Sequence, residues 1–275
     1  MDIRLIALDL DGTTLNTDKH ISHFTKNILE KAIANGIQVV IASGRARSAL
    51  PADVLSIDGL RYAITSNGSS IFTLTDFKRI FACDMAPETV DAVLSIASDC
   101  GFTYEAFIAG HAYTAQSYYN CAADFGVPER MNSYVRDTRT PVPSMADFIR
   151  THRHEIEGID FIIPDPSQKE RIRNRLLQIP DLYVTGSESY YLELAAGSVS
   201  KASALHSLAA ILKISPSQII AFGDGGNDLE MLSYAGRGIA MANAAPALLE
   251  AADDVTLSND EDGVAHYLQK ILHFC

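Results

Sequence analysis

The chain has 275 residues, 47% of them hydrophobic and 20% charged, a balance typical of a globular protein with a well-filled core. The formal net charge is −12 and no basic stripe is present, so we expect neither nucleic acid nor an anionic membrane as a partner. The first residues lack signal-peptide features, no apolar run approaches a membrane span, and the four cysteines form no CxxC pair, so we expect a cytoplasmic protein with reduced thiols.

The first elements in chain order are two β-rich runs that flank one helix. A largely apolar run at 3–8 ends in Asp9 and Asp11. Ser22 can then cap a helix that runs through Asn35, and Gly36 is a typical helix stop. The second run covers 37–42 and ends in Ser43, Gly44 and Arg45. Each apolar run therefore stops at polar residues.

The same pattern returns later in the chain. A third run at 62–65 ends in Ser66-Asn67-Gly68, and a fourth at 219–222 ends in a polar segment at 223–228. Short runs at 239–241 and 255–257 complete the series. Continuous apolar strands that alternate with helices predict an α/β fold with a Rossmann-like parallel sheet covered on both faces. Ligands bind beyond the carboxyl ends of such strands, where every polar segment just named is expected to lie.

The middle of the chain has a different character. Its pattern is irregular and partly proline-rich, and the strand–helix alternation resumes only near Leu192. We therefore predict an inserted α+β domain at 85–187, with residues 1–84 and 188–275 forming the Rossmann-like core.

Oxygen-rich side chains at the strand ends indicate a magnesium site. Asp9 and Asp224 offer two carboxylates, and a backbone carbonyl near Asp11 offers a third oxygen. Mg²⁺ prefers such hard oxygen ligands and keeps several waters. Asp9 and Asp11 are two carboxylates placed close together at the end of a buried strand, and they also require a nearby cation, since burial and mutual repulsion both disfavour their charge.

Groups suited to an anion accompany the carboxylates. Ser43 and the Gly44 amide lie at a strand-to-helix turn and can donate hydrogen bonds, while Lys201 supplies a positive charge. Carboxylates, a metal, a lysine and anion-binding amides together fit phosphoryl transfer, in which an aspartate can itself be the nucleophile.

Four motifs in this order resemble those of the haloacid-dehalogenase-like phosphatases. They are Asp9-Leu10-Asp11-Gly12-Thr13, Ser43-Gly44-Arg45, Lys201 and Gly223-Asp224-Gly225-Gly226-Asn227-Asp228. The insertion between the second and third motifs is similar to that of the Cof-type subfamily, whose α+β cap closes over the site. Met241-Ala242-Asn243-Ala244 also resembles that subfamily.

The resemblance implies a role for each matching residue. Asp9 would be the nucleophile and a Mg²⁺ ligand. Asp11 would be the general acid and then the base, with its backbone carbonyl on the metal. Asp224 would bind Mg²⁺, and Asp228 would act in a second-shell or metal-linked role. The phosphate would be held by five residues: the Leu10 amide, Ser43, Gly44, Lys201 and Asn227.

Each residue also has a simpler interpretation. Taken alone, Lys201 would be a surface lysine, the segment ending at Asp228 a helix-capping turn, and Asn67-Gly68 an ordinary turn, which we leave out of the site. Arg45 and Arg47 favour structural ion pairs over substrate contacts. Core packing is likewise favoured over a substrate pocket for four residues of the insertion: His111, Tyr113, Tyr118 and Tyr119.

The combined motifs predict a Mg²⁺-dependent phosphomonoesterase that acts on small phosphate esters, sugar phosphates first. A phosphomutase of the phosphomannomutase type is one alternative, because it resembles this cap class. A non-catalytic sensor of phosphorylated ligands is another, although such a protein gains little from a nucleophile and an acid.

Overall fold

The computed structural model describes residues 2–163, 165–186 and 190–272. Its strands are, in chain order, β1 (Leu5–Leu8), β2 (Gln38–Ala42), β3 (Tyr62–Thr65), β4 (Ser70–Thr73), β5 (Arg79–Ala82), β6 (Thr103–Ile108), β7 (His111–Ala115), β8 (Arg139–Val142), β9 (Ile156–Ile162), β10 (Leu182–Thr185), β11 (Tyr191–Ala196), β12 (Ile219–Gly223), β13 (Arg237–Ala240) and β14 (Asp254–Val255).

The α-helices are α1 (His23–Ala34), α2 (Ala52–Leu55), α3 (Pro87–Cys100), α4 (Gln116–Asn120), α5 (Met131–Thr138), α6 (Met145–Thr151), α7 (Lys169–Leu176), α8 (Lys201–Leu212), α9 (Leu229–Tyr234), α10 (Pro246–Ala251) and α11 (Gly263–Ile271). None of the helices in the described part of the chain is long and apolar enough to cross a membrane.

The chain divides into two compact units, and the first contains the described residues within 1–44, 50–81 and 200–275. Its described residues form an eight-stranded sheet in the order β14-β13-β12-β1-β2-β3-β4-β5. The strands from β14 to β3 in this order are parallel, and β4 returns antiparallel to β3. This is the expected Rossmann-like parallel sheet.

Helices cover both faces of this sheet, which explains the unbroken apolar runs in the sequence. Alternate residues of β1 point to opposite sides: Ile6 and Leu8 join the apolar cluster that includes residues of α1, α2 and α11, while Leu5 and Ala7 join the cluster with α8 and α9. All four side chains are fully buried. A strand covered on both faces needs apolar residues at every position, so the predicted α/β fold class is confirmed.

The first helix follows its local signals closely. The Ser22 side chain accepts a hydrogen bond from the Thr25 amide at 3.0 Å and so caps α1. Gly36 adopts φ of +86° directly after the helix, a conformation that glycine takes without steric cost. The predicted start and stop are both confirmed.

The second unit contains the described residues within 45–49 and 82–199. Its described strands form a six-stranded sheet in the order β10-β11-β9-β6-β7-β8, antiparallel except for the β7–β8 pair. Apolar residues of α3, α6 and α7 pack on one face, and those of α4 and α5 belong to a separate cluster with Ile162 and Tyr191.

The ends of this unit differ from the expected limits of the insertion. Leu192 lies in β11, which pairs antiparallel with β9 and β10, so the prediction that the strand–helix alternation resumes near Leu192 is wrong. The alternation resumes with α8 at Lys201. In β11 the buried Leu192 and Leu194 flank Glu193 with a period of two, which is typical of an antiparallel strand. The expected boundary at 187 and 188 lies outside the described residues.

Candidate active site

Four neighbouring strands of the first sheet end in polar residues at one edge. Asp9 follows β1, Ser43 follows β2, Ser66 follows β3, and Asp224 follows β12. These strands are adjacent and parallel in the order β12-β1-β2-β3. Their carboxyl ends, and therefore the polar residues, lie side by side.

A tight turn places Asp9 at the end of β1. The carbonyl of the buried Leu10 accepts hydrogen bonds from the amides of Thr14 at 3.1 Å and Leu15 at 2.9 Å, and the Thr14 hydroxyl donates to the Asp9 carbonyl at 2.5 Å. Gly12 has φ of +84°, and a Cβ there would lie 2.3 Å from Asp224 Oδ2. Only glycine lets the two loops approach this closely.

The loop after β12 is organised by Asp228. Its Oδ2 accepts hydrogen bonds from the amides of Asp224 at 3.0 Å and Gly225 at 2.9 Å. The Thr13 hydroxyl donates to Asp224 Oδ1 at 2.9 Å and so connects this loop to the one after β1. Asp228 is 1% exposed and makes no side-chain cap for α9. Its carboxylate therefore organises this loop and does not cap α9.

Lys201 lies at the centre of the site. The Ser200 side chain caps α8 and fixes the start of the helix, and Lys201 follows as its first residue. Its Nζ donates to Asp9 Oδ1 at 2.6 Å and to Asp228 Oδ1 at 2.7 Å, and the side chain is 1% exposed. The interpretation of Lys201 as a surface lysine is wrong.

The charges in this cluster do not balance. Burial would lower the pKa of Lys201, but the carboxylates of Asp228 and Asp9 raise it above its usual value. Burial raises the pKa of Asp9 well above its usual range, and although Lys201 lowers it, the Asp228 and Asp224 carboxylates raise it further. Burial and the charge of Asp228 raise the pKa of Asp224 to about 6. One lysine among three carboxylates leaves an excess of negative charge.

This donor set fits a divalent cation. One carboxylate oxygen from each of Asp9, Asp224 and Asp228 lies within 4.8 Å of the others. All three are hard oxygen donors of the kind that Mg²⁺ prefers, and a divalent cation would compensate the excess negative charge.

The remaining predicted phosphate ligands surround this cluster. Ser43 is buried, and its amide donates to the Ile64 carbonyl at 3.0 Å, which fixes the turn that leads to Gly44. Asn227 is 9% exposed and lies in the loop between Asp224 and Asp228. Both segments belong to the same sheet edge as Asp9.

A comparison with protein families identifies the chain. The model of the haloacid dehalogenase-like hydrolases matches residues 6–268. The chain belongs to this family. The family assignment agrees with the four motifs and with the Cof-type resemblance that they carry.

Relatives of this haloacid dehalogenase-like protein match over its whole length. "Phosphatase YwpJ" of Bacillus subtilis is 32% identical over 98% of this chain and 100% of its own. "5-amino-6-(5-phospho-D-ribitylamino)uracil phosphatase YcsE" of the same organism is 26% identical over 96% of this chain and 94% of its own. A solved haloacid dehalogenase-like hydrolase from B. subtilis, 28% identical, superposes with a TM-score of 0.85 over 98% of this chain and 100% of that one.

Asp11 is more exposed than the carboxylates of the buried cluster in this haloacid dehalogenase-like site. Its Oδ1 accepts a hydrogen bond from Lys19 Nζ at 2.9 Å, and both side chains are exposed to solvent, by 36% and 52% respectively. The two carboxylates of the first motif therefore differ in environment: Asp9 is buried against a lysine, whereas Asp11 faces solvent.

Asn67 is a residue that the sequence interpretation missed. Its Oδ1 accepts a hydrogen bond from Asn227 Nδ2 at 3.0 Å, and both side chains are buried. Asn67-Gly68 has the local signature of a turn, and it does form one. The available signal was its position directly after β3, at the same sheet edge as the four motifs.

The second unit contains the residues for which we predicted structural roles, namely ion pairs for Arg45 and Arg47 and core packing for the others. The Arg45 guanidinium lies 5.2 Å from the ring centroid of Tyr134 and donates to the Ala49 carbonyl at 3.0 Å. Arg47 contacts His111 at 2.9 Å, and His111 is exposed, so the prediction of core packing is wrong for this residue. Tyr118 is fully buried, Tyr113 packs on Phe148 with ring centroids 4.6 Å apart, and Tyr119 packs at the edge of the Tyr118 cluster.

Proposed function

We propose that this haloacid dehalogenase-like phosphatase is a Mg²⁺-dependent phosphomonoesterase that hydrolyses small phosphorylated metabolites, sugar phosphates first, through an aspartyl-phosphate on Asp9. The observation that carries the proposal is the buried Lys201, held between Asp9 and Asp228 beside Asp224. Such a cluster costs folding energy unless a further cation binds in it, since buried carboxylates repel each other, and groups perturbed in this way concentrate at functional sites.

Asp9 would be the nucleophile. Lys201 donates a hydrogen bond to Asp9 Oδ1, so we assign the attack on phosphorus to Asp9 Oδ2. The new bond between Oδ2 and phosphorus forms as the bond between phosphorus and the ester oxygen breaks. Lys201 has three N–H donors, two of which bind Asp9 and Asp228, and the third would reach a phosphoryl oxygen.

Asp11 would act as general acid and then as general base. It would give a proton to the departing ester oxygen in the first step. In the second step it would take a proton from the water that attacks the aspartyl-phosphate, which releases inorganic phosphate and regenerates Asp9. Its solvent exposure suits a group that exchanges protons with each turnover.

Mg²⁺ would be held by Asp9, Asp224 and the backbone carbonyl of Asp11. When bound, it would supply positive charge to the phosphoryl oxygens. Asp228 would not bind the metal directly but would orient Lys201 and the loop that carries Asp224. One of its carboxylate oxygens accepts from Lys201 and the other accepts from two backbone amides of that loop. The Leu10 amide, Ser43, Gly44 and Asn227 would complete the phosphate site.

The experiment that tests this function is phosphate release from a panel of sugar phosphates, nucleotides and an aryl phosphate. We expect release in Mg²⁺, none in EDTA, and recovery when Mg²⁺ is restored. Interconversion of sugar phosphates that requires a bisphosphorylated activator, without phosphate release, would instead indicate a phosphomutase. Binding of phosphate esters without either reaction would indicate a sensor.

Asp224→Asn is expected to stabilise the metal-free protein at pH 7.5. The pKa of Asp224 is about 6 against an ordinary value of 3.8, so its charge costs the folded state about 1–3 kcal/mol once partial solvent contact is allowed for. The stability that the neutral carboxyl gives is present below pH 3.8 and is lost as the pH rises through 6. The variant should therefore melt a few degrees above the parent at pH 7.5 in EDTA, with a clearly smaller difference at pH 4.5.

Calorimetry with and without Mg²⁺ checks this expectation. Mg²⁺ should raise the melting temperature of the parent protein and not that of Asp224→Asn. Asp58→Asn is the matched control, since Asp58 is an exposed carboxyl of the same unit, and it should respond to Mg²⁺ as the parent does. A parent protein whose melting temperature ignores Mg²⁺ at every pH would contradict the metal site.

A further inference from the structure

The turn after β3 adopts an unusual backbone conformation. Ser66, Asn67 and Gly68 have φ angles of +50°, +55° and +110°, so two successive residues other than glycine lie in the left-handed region. Both side chains are buried, with 4% and 6% exposure. Such residues persist only where the surrounding structure holds them, and they concentrate at functional sites.

This turn contacts three segments that carry proposed phosphate ligands. The Asn67 amide donates to the Ser43 carbonyl at 3.1 Å. The Asn67 side chain accepts from Asn227, as described above. A Cβ on Gly68 would lie 2.2 Å from the Ser200 carbonyl oxygen, so the turn abuts the start of the helix that carries Lys201. One short segment thus meets Ser43, Asn227 and the Lys201 helix.

In the structure the Asn227 amide directs its nitrogen towards Asn67. Its Nδ2 donates to Asn67 Oδ1 at 3.0 Å. The Asn227 Oδ1 faces Gly225, since a Cβ placed on Gly225 would lie only 2.8 Å from this oxygen. Asn227 Nδ2 carries two hydrogens. One is donated to Asn67 Oδ1, so the other can be donated to a second acceptor. With Asn67 presenting its oxygen, a reversed Asn227 amide would set oxygen against oxygen, with no hydrogen between them.

We propose that Asn67 is a positioning residue, which fixes the Asn227 amide with its nitrogen directed as the donor to the substrate phosphate. This inference rests on the proposed function, in which Asn227 binds phosphate. Asparagine meets both demands of the position, since it tolerates the left-handed conformation and supplies a neutral acceptor. Glycine would meet the first demand alone.

The substitution Asn67→Gly distinguishes the role of the Asn67 side chain from the role of its left-handed backbone conformation. Glycine adopts φ of +55° freely, so the turn is retained while the acceptor is lost. We expect the inhibition constant of inorganic phosphate, measured against an aryl phosphate, to rise roughly 3- to 10-fold, as for one lost hydrogen bond. Ser66→Gly is the matched control: it relaxes the neighbouring left-handed residue and keeps the amide pair, so the inhibition constant should stay within about 2-fold.

A double-mutant cycle with Asn227→Ala shows whether Asn67 acts through Asn227. Once Asn227 is alanine, Asn67→Gly should change the inhibition constant by less than about 2-fold. A merely structural role would instead give the same change in both backgrounds, and that result would overturn the inference. So would an unchanged inhibition constant for Asn67→Gly in the parent background.

The parent protein distinguishes this inference from the proposed function. A parent that hydrolyses the aryl phosphate and is inhibited by inorganic phosphate supports the function, whatever Asn67→Gly does. A parent that neither hydrolyses phosphate esters nor binds inorganic phosphate overturns the proposed function, and the role of Asn67 with it.

Discussion

Replacing Asp9 by asparagine is expected to abolish phosphate release, with a loss on the order of 10⁴-fold or more. An amide is too weak a nucleophile to form the acyl phosphate, whereas its oxygen can still accept the hydrogen bond from Lys201. The variant should therefore keep the fold and the phosphate site. Initial rates with an aryl phosphate measure the loss, and inorganic phosphate binding by calorimetry shows that the site is intact.

Two controls show whether the loss of activity is specific to the Asp9 carboxylate. Asp58→Asn makes the same chemical change at an exposed position of the same unit and should retain the parent rate. The intact mass of the Asp9→Asn protein after the assay shows that the introduced amide has not hydrolysed back to a carboxyl. A residual rate within tenfold of the parent would mean that Asp9 is not the nucleophile.

Lys201→Met is expected to remove activity by at least about 10³-fold and to destabilise the protein by about 3–5 kcal/mol at pH 8. The lysine is the shared partner of Asp9 and Asp228, so its loss leaves two buried carboxylates without their cation. Without Lys201 the pKa of Asp9, already raised, must rise further. A carboxyl whose pKa is raised in the folded state lowers the free energy of unfolding as the pH rises and the group ionises. The variant should therefore be far less stable at pH 8 than at pH 5.

Melting temperatures at the two pH values measure this effect. Lys270→Met is the matched control, because it removes an exposed lysine from a helix of the same unit and should leave activity and melting temperature nearly unchanged. If Lys201→Met fails to fold at pH 8, its recovery at pH 5 supports the same conclusion. An active variant, or one whose stability is equal at both pH values, would contradict the account of the buried cluster.

Much of the fold and of the site was predictable from local patterns. The runs that became β1, β2 and β12 are apolar at every position except Gln38 at the start of β2, which indicates strands buried on both faces. The rule that ligands bind at the carboxyl ends of such strands then places Asp9, Ser43 and Asp224 at one edge. These predictions needed only sequence periodicity and a rule of sheet topology.

The contacts that local patterns alone do not indicate connect residues far apart in the chain. Lys201 meets Asp9 across 192 positions: the set of four motifs assigned this lysine to the site, whereas nothing beside it in the sequence indicates its burial. Asn67 meets Asn227 across 160 positions, whereas its neighbours spell an ordinary turn. Leu192 lies in a strand whose alternation around Glu193 indicates antiparallel pairing, and its pairing with β9 and β10 assigns it to the second sheet. Local patterns indicate elements but not their distant partners.

The measurement that most directly tests the account is the mass of an Asp11→Asn protein quenched in acid after mixing with an aryl phosphate. An aryl leaving group needs little protonation, so Asp9 should still be phosphorylated, whereas hydrolysis of the intermediate needs the base that the variant lacks. We predict a phosphoryl adduct on Asp9 that hydroxylamine removes, together with a larger rate loss for sugar phosphates than for aryl phosphates. Turnover with no adduct, or an adduct on another residue, would contradict the aspartyl-phosphate mechanism.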